Sequence, residues 1–359
     1  MAAQIKAQDQ VFESKADAPA AVSSPKSERN PALDFTKGAL VLIMVLYHWI
    51  NYFIGPQWGY YDYLRFLTPS FIFITGFMVS NIYLSKYAAT DPRLPKRLFV
   101  RGIKLLAIFI ALNAARFVVI PLLGTGKLVE DPLDPSNLFA AFVSGNFPVL
   151  GGKLVAFSIL VPIGYLLMLS GLLMLMYRRY RYTFQFAWGF LLITILALGL
   201  AGIRSPNLEL VTIGMTGLLG GLIPIATVND FVQHPYVLTI AYGGYLVAIA
   251  LWGIPFLLLL TGVVLSVMII YLVGTGASTS NPIASKVILL GKYSLFGYIS
   301  QIALLQILSA IFHRVDLGSA VFVVSFVVVF LLTVASVDLL DRARARAAVI
   351  DRLYKAVFA

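Results

Sequence analysis

The chain alternates long apolar segments with short polar ones. Ten apolar segments are each roughly 20 residues long, which is the length of helix that crosses the hydrocarbon core of a bilayer. The pattern therefore predicts an all-α, polytopic membrane helix bundle with about ten transmembrane helices. The predicted spans are residues 35–54, 64–85, 98–123, 154–177, 183–203, 208–228, 236–252, 254–275, 292–312 and 318–340.

Two of these predicted spans are separated only by Gly253-Ile254-Pro255. Glycine and proline both interrupt helices, so this segment is compatible with a tight hairpin between two spans. It is also compatible with one kinked helix, because a proline inside a helix bends it.

The segments that flank the predicted transmembrane domain, residues 33–340, are polar or basic. Residues 1–32 are rich in Ala, Lys, Gln, Ser and Pro and lack the apolar core of a signal peptide, which predicts a disordered cytoplasmic tail. Residues 341–359 form a basic, amphipathic cytoplasmic tail. From Asp338 to Phe358 the apolar residues fall on one side of a helix, which favours a helix on the inner membrane surface. A solvated tail is the alternative.

Composition supports a membrane protein and excludes several kinds of site. The 359 residues are 60% hydrophobic and 12% charged, with a mean hydropathy of +0.89, whereas soluble domains carry about 25% charged residues. No cysteine is present, which excludes disulfides and thiolate chemistry. The three histidines, His48, His234 and His313, have no metal-ligand spacing, so no metal site is expected.

The basic residues determine the predicted orientation. The net charge is +11, and 21 of the 27 lysines and arginines lie in segments that are cytoplasmic if the N-terminus is inside, against five outside. Because Lys and Arg accumulate in cytoplasmic segments, this distribution predicts cytoplasmic termini and an even number of spans. It also explains the positive charge without nucleic acid, which we do not expect as a partner. Residues 124–153 form the largest predicted outer loop, and long loops are often functional.

Polar residues share one face of the first predicted span. Lys37 and His48 are eleven residues apart, within about 20° of each other on a helix and about 16 Å apart along it. Asp34 falls about 40° from His48, and Asn51 lies one turn beyond. An ionisable group inside a span indicates function, because burying it is unfavourable. The alternatives are a neutral His48 hydrogen bonded between helices and a Lys37 that only anchors the helix end.

The same residues resemble a known family. Asp34 three residues before Lys37, then ten residues, then His48, is similar to the first-helix motif of the acyltransferase 3 family. Glucan-succinylating membrane transferases share this general plan. Three further segments resemble family segments in the expected order: Phe71–Ser80, Arg97–Leu106 and Gly291–Tyr298.

The resemblance implies a membrane enzyme that transfers an acetyl, succinyl or similar group. The donor would be cytoplasmic acyl-CoA, as co-substrate rather than bound cofactor, and the acceptor a glycan or glycolipid of the cell envelope. The expected location is the bacterial cytoplasmic membrane, in contact with membrane lipid. The resemblance implies catalytic roles for His48, as general base, and for Lys37 and Asp34.

The resemblance also suggests where the two substrates bind. A CoA donor carries several phosphates, and a basic cluster at the start of the third span suits them. Arg116 and Asn51 are the candidates for contact with the acceptor, Arg116 alternatively as an oxyanion donor. Alternatively, the cluster could only set the orientation of the protein in the membrane, and Arg116 could extend to the outer interface. A transporter or flippase is the alternative function. The residues of the basic cluster are Lys96, Arg97, Arg101 and Lys104.

The Lys/Arg distribution yields a direct test of orientation. Reporter domains fused at residues 1 and 359 should both report a cytoplasmic location, because both tails are basic. A reporter moved into the 124–153 loop should report the opposite side and serves as the control. One terminus found outside would contradict the even number of spans, and both found outside would contradict the predicted orientation.

Overall fold

The computed structural model describes residues 30–55, 62–84, 91, 93–123, 135–143, 145, 156–277, 279–312 and 320–358. Every regular element in this part of the chain is a helix. In chain order the α-helices are α1 (Pro31–Trp49), α2 (Leu67–Met78), α3 (Arg93–Leu123), α4 (Pro135–Val143), α5 (Leu160–Tyr177), α6 (Thr183–Leu200), α7 (Pro206–Gly220), α8 (Ile225–Val232), α9 (Pro235–Trp252), α10 (Phe256–Thr275), α11 (Pro282–Lys292), α12 (Ser294–Phe312), α13 (Ala320–Arg346) and α14 (Ala348–Phe358). Two π-helices, Ile50–Ile54 and Val79–Leu84, continue α1 and α2.

The predicted all-α membrane bundle is confirmed. Within the described ranges, nine helices are long and apolar enough to cross a membrane, and a tenth span results if the bent pair α7 and α8 counts as one. Pro31–Ala359 forms one compact unit. The predicted disordered tail, residues 1–32, lies almost entirely outside the described residues. Helices α6 and α9 turn large apolar side chains outward: Phe186 is 75% exposed and Ile240 is 76% exposed. Such a surface suits lipid rather than water.

The predicted sixth span, residues 208–228, is not one straight helix. Helix α7 ends at Gly220, α8 begins at Ile225, and their axes differ by 99°. Pro224, which precedes α8, has an extended backbone (ψ 135°) and lacks the N–H that a continuing helix needs. Local sequence, rather than packing alone, therefore bends the chain here.

The segment Gly253-Ile254-Pro255 forms a hairpin, not a kink. Helix α9 ends directly before this segment, α10 begins directly after it, and the two helices pack against each other. Gly253 has a φ of +68°, in the left-handed region that side chains other than glycine rarely adopt. Glycine therefore allows the chain to reverse within three residues.

Other boundaries differ from the prediction at helix ends. Helix α1 begins at Pro31, α3 begins at Arg93 rather than 98, and α13 continues to Arg346, across the predicted end of the transmembrane domain at residue 340. Helix α11 was not predicted. Its signals are present in the sequence, since Pro282 occupies the first turn and the Asn281 side chain accepts hydrogen bonds from the backbone at the start of the helix.

Helix α1 lies at the centre of the bundle and packs against α2, α10, α11, α12 and α13. Its closest approach is to α11, where two glycines meet the opposing backbone. A Cβ added to Gly38 would lie 1.9 Å from the Val287 carbonyl oxygen, and one added to Gly291 would lie 1.7 Å from the Asp34 carbonyl oxygen. Small residues permit such close contact between membrane helices. The van der Waals packing that results drives their association, because lipid provides no hydrophobic driving force between helices.

Helices α1 and α12 run parallel. Gly297 packs beside Val41, and nine residues later the Gln306 amide donates to the Tyr52 hydroxyl at 3.2 Å. Helix α13 runs the opposite way, because the Trp49 indole N–H donates to Ser325 while Val337 packs against Gly297. The beginning of α1 and the end of α13 consequently lie at the same end of the bundle, hereafter the Asp34 end.

Ion pairs concentrate at the Asp34 end, where α11, α13 and α14 meet. Lys292 pairs with Asp341 at 3.0 Å, and Lys286 pairs with Asp338 at 2.5 Å. These side chains are partly exposed, and exposed pairs each contribute about 0–1 kcal/mol. Their main effect is to connect α11 to α13, which holds α11 against α1.

The glycine contact between α1 and α11 yields a stability prediction. Gly38→Ala should lower the melting temperature of the detergent-solubilised protein, because the added methyl group overlaps the Val287 carbonyl and the helices must separate. Overpacking of this kind destabilises by about 1–3 kcal/mol. The matched control is Gly243→Ala on α9, where nothing lies within 4 Å of the added Cβ. Equal melting temperatures for the two variants would contradict the contact.

Candidate functional site

The Asp34 end of α1 contains a buried ion pair. The Lys37 ammonium lies 2.5 Å from the Asp34 carboxylate, and the two side chains are 10% and 6% exposed. The pair adjoins the Gly38–Gly291 contact, so α11 covers it. Asp34 is also in the first turn of α1, where a carboxylate is favoured by the helix dipole. The two charges therefore neutralise each other, and Lys37 is not a solvent-exposed anchor.

His48 lies near the far end of α1, between two tyrosine rings. Its ring centroid is 5.1 Å from that of Tyr47 and 6.4 Å from that of Tyr298 on α12. Phe71 on α2 and Phe157 each contact Tyr298 at 6.3 Å. The Nε2 atom of His48 is buried and has no hydrogen-bond partner among the described residues. The interhelical hydrogen bond of the alternative interpretation is therefore absent at Nε2.

The helix changes its geometry directly after His48. Residues Ile50–Ile54 form a π-helix that ends at Gly55, whose φ is +101°. Single π-turns occur frequently at functional sites. The predicted position of Asn51 assumed a regular α-helix, so its face relative to His48 shifts in the π-helix. Asn51 is therefore still three residues from His48, but the two side chains do not have the angular separation that a regular α-helix predicts.

Arg116 faces the bundle interior and not the outer interface. It is half buried, its Nε is buried without a hydrogen-bond partner, and its charge interacts with Tyr52 of the π-helix. Tyr52 is four residues beyond His48 along the first span, so Arg116 lies toward the π-helix end of α1. Extension to the surface, the alternative interpretation, does not describe this side chain.

The chain that precedes α5 enters the site at Phe157. This residue has a φ of +60°, unusual for a residue other than glycine, and its side chain is buried against Tyr298. A conformation of this kind costs about 1–3 kcal/mol and requires support from its surroundings. Asn113 of α3 provides support by donating to the Ala156 carbonyl at 3.1 Å. Most of the predicted outer loop, residues 124–153, lies outside the described residues.

The four residues predicted to bind donor phosphates are divided between two faces of α3. Arg97, Arg101 and Lys104 fall within about 60° of one another around the helix, whereas Lys96 falls outside this range. Lys96 and Arg97 are exposed, and Arg101 and Lys104 are half buried. The Arg101 guanidinium donates to the Tyr83 hydroxyl in the second π-helix. Of these four residues, Arg101 and Lys104 therefore lie closest to the bundle interior.

Helix α14 packs on the bundle near Arg101. The Tyr354 ring contacts Tyr293 at 5.4 Å, and Arg344 lies 4.0 Å from the Tyr354 ring centroid. Tyr354 also interacts electrostatically with Arg101. Burial, together with the carboxylate of Asp341 that accepts its hydrogen bond, raises the pKa of Tyr293 to about 12. The Tyr293 hydroxyl is thus a neutral donor at physiological pH.

The predicted amphipathic helix in the C-terminal segment is present, with two different environments. Tyr354 and Phe358 pack on aromatic residues of the bundle, whereas Val349 is 75% exposed and Leu353 is 64% exposed. The exposed apolar side chains suit a membrane surface better than water. A fully solvated tail does not describe this helix.

Gln301 on α12 is the residue that the site prediction missed. It is completely buried, and both atoms of its side-chain amide lack hydrogen-bond partners within the described part of the chain. It lies one turn beyond Tyr298 on the same face of α12. The sequence offers a weak signal, an amide in an apolar span, and its lack of partners is visible only in the structure.

In the described ranges, no group of three or more His, Asp or Glu residues could hold a metal ion. His234 lies at the N-terminal end of α9, exposed and distant in sequence from the site, and His313 lies outside the described residues. The candidate site therefore consists of His48, the buried pair Asp34–Lys37, Arg116 and the half-buried cations of α3.

Comparisons of the chain with family models, with curated proteins and with solved structures gave no match. The class that the fold defines is that of integral, multi-pass membrane proteins.

Proposed function

We propose that the protein is a membrane acyltransferase that moves an acyl group from cytoplasmic acyl-CoA to a hydroxyl or amine of a glycan or glycolipid acceptor in the cell envelope. The observation that carries the proposal is the buried, unpartnered Nε2 of His48 in a membrane-spanning helix. A buried polar atom without a hydrogen bond is unfavourable, by about 1–3 kcal/mol, and indicates a group that a ligand completes.

The Asp34 end suits the donor. Under the proposed orientation this end faces the cytoplasm. Arg101 lies near Tyr354 of α14, and both Arg101 and Lys104 are half buried. Cationic side chains bind phosphates through charge-assisted hydrogen bonds. The CoA phosphates would contact this cluster and its pantetheine arm would extend toward His48, which lies about 16 Å beyond Lys37 along α1.

His48 supplies the proton transfer. Its Nε2 accepts the proton of the acceptor hydroxyl while the hydroxyl oxygen forms a bond to the thioester carbonyl carbon. The carbon–sulfur bond breaks, and the thiolate of CoA takes the proton from the imidazolium. The products are the acylated acceptor and free CoA. Tyr47 and Tyr298 flank the His48 ring, and a bound acceptor would complete the exclusion of water that protects the thioester from hydrolysis.

The π-helix end suits the acceptor. Arg116 lies near Tyr52, toward the end of α1 opposite the ion pair, and Asn51 is three residues from His48. A guanidinium here can donate hydrogen bonds to the hydroxyl groups of a sugar. Donor and acceptor would then approach His48 from opposite sides of the membrane.

The decisive prediction concerns His48. His48→Gln and His48→Ala should both lower the rate of CoA release from radiolabelled acyl-CoA by about 10²- to 10⁴-fold, because neither side chain accepts a proton. Folded yield and donor binding should be retained. His234→Gln, at an exposed position, is the control and should keep full activity.

Two results would overturn the mechanism or the function. High activity in His48→Gln would show that the imidazole is structural. If the purified wild-type protein releases no CoA but moves the acceptor across vesicle membranes, the protein is a transporter or flippase.

The donor site gives a separate prediction. Arg101→Gln combined with Lys104→Gln should raise the KM for acyl-CoA about tenfold or more, with little change in the KM for the acceptor, because charged hydrogen bonds to phosphate are lost. Arg178→Gln combined with Arg179→Gln removes the same charge from the exposed α5–α6 connection and should leave both constants unchanged. Unchanged donor affinity in the α3 variant would leave these residues with a purely topological role.

A further inference from the structure

Gln301 is the most completely buried polar side chain of α12, and its environment does not satisfy it. Its exposure is 0%, and neither its Nε2 nor its Oε1 has a hydrogen-bond partner in the described part of the chain. The NH2 group of a primary amide has two hydrogen-bond donors, and its carbonyl oxygen is an acceptor; both groups normally form hydrogen bonds. Since desolvating either end without a partner is unfavourable, such a side chain indicates a site that a ligand completes.

The parallel packing of α1 and α12 fixes the depth of Gln301. Gly297 packs beside Val41, and Gln306 bonds to Tyr52, so positions between 297 and 306 lie beside positions between 41 and 52. Gln301 therefore lies beside the turn of α1 that precedes His48. Its neighbour one turn earlier, Tyr298, already contacts the His48 ring.

This depth places Gln301 on one particular side of His48. The buried pair Asp34–Lys37 and the α3 cations lie toward the Asp34 end, and Arg116 with Tyr52 lies toward the π-helix end. The register of α12 against α1 puts Gln301 on the side of His48 that faces the Asp34 end. In the proposed reaction that is the side from which the thioester arrives.

We propose that the Gln301 side-chain amide donates a hydrogen bond to the carbonyl oxygen of the acyl thioester, and that Gln301 is a catalytic residue. This inference rests on the proposed function. The hydrogen bond strengthens as the carbonyl oxygen becomes an oxyanion when the acceptor oxygen attacks its carbon. The negative charge returns to form the carbonyl again when the carbon–sulfur bond breaks, and the amide keeps its protons throughout.

The test compares two substitutions on the same helix. Gln301→Leu removes an amide that has no partner, so the melting temperature of the ligand-free protein should stay the same or rise. Gln306→Leu removes an amide that bonds to Tyr52, so its melting temperature should fall. A fall for Gln301→Leu as large as that for Gln306→Leu would overturn the proposal, because Gln301 would then be structural.

Ligand binding supplies the second readout. The two probes are acetyl-CoA and S-ethyl-CoA, in which a methylene group replaces the thioester carbonyl. The wild-type protein and Gln306→Leu should each bind acetyl-CoA roughly two- to tenfold more tightly than S-ethyl-CoA. This difference in affinity is the equivalent of one hydrogen bond. Gln301→Leu should bind the two probes equally, and its kcat should fall about 10²- to 10³-fold, as for loss of an oxyanion donor.

The outcomes separate this inference from the function on which it rests. If Gln301→Leu still prefers acetyl-CoA to the same degree as the wild-type protein, Gln301 does not contact the carbonyl, although the acyltransferase proposal stands. If the wild-type protein binds neither CoA probe, the proposed function fails and the role of Gln301 fails with it.

Discussion

The backbone contact between α1 and α11 is the constraint on which the rest of the site depends. Gly38 and Gly291 let the two helices approach to a distance that no side chain permits. Helix α12 begins only three residues after Gly291, so this contact also determines where α12 starts. Because α12 then runs parallel to α1, Tyr298 reaches His48 and Gln306 reaches Tyr52. Packing at one end of the bundle thus determines which side chains meet in its middle.

Polar groups along α1 are treated differently at different depths. Asp34 and Lys37 are buried but neutralise each other, which is how a protein tolerates ions away from water. Nearer the other end of α1, His48 and two residues of neighbouring helices, Arg116 of α3 and Gln301 of α12, each bury a polar atom that has no partner within the described residues. A core selected only for stability would pair or replace such groups. Three such groups on three helices near the His48 end of α1 are what distinguishes a candidate binding site from a structural polar network.

The sequence was sufficient for the fold because periodicity and length carry the signal for membrane helices. It was also sufficient for the Asp34–Lys37 pair, since residues three apart on a helix are neighbours. It failed at α11, whose Asn281 and Pro282 are ordinary helix-start signals obscured by the apolar span that follows. The inward position of Arg116 and the lack of partners for Gln301 depend on contacts between distant helices, which one sequence does not encode in any local pattern.

The π-helix after His48 has a consequence for how the first span varies among related chains. A π-turn contains one residue more than the α-turn that it replaces, so Ile50–Ile54 is equivalent to a single-residue insertion inside a membrane helix. A relative whose first helix remains α-helical throughout would have one residue fewer between its histidine and the residue equivalent to Gly55. A gap at that point of an alignment would then mark a real change in backbone geometry, and residues beyond it would correspond only after the shift.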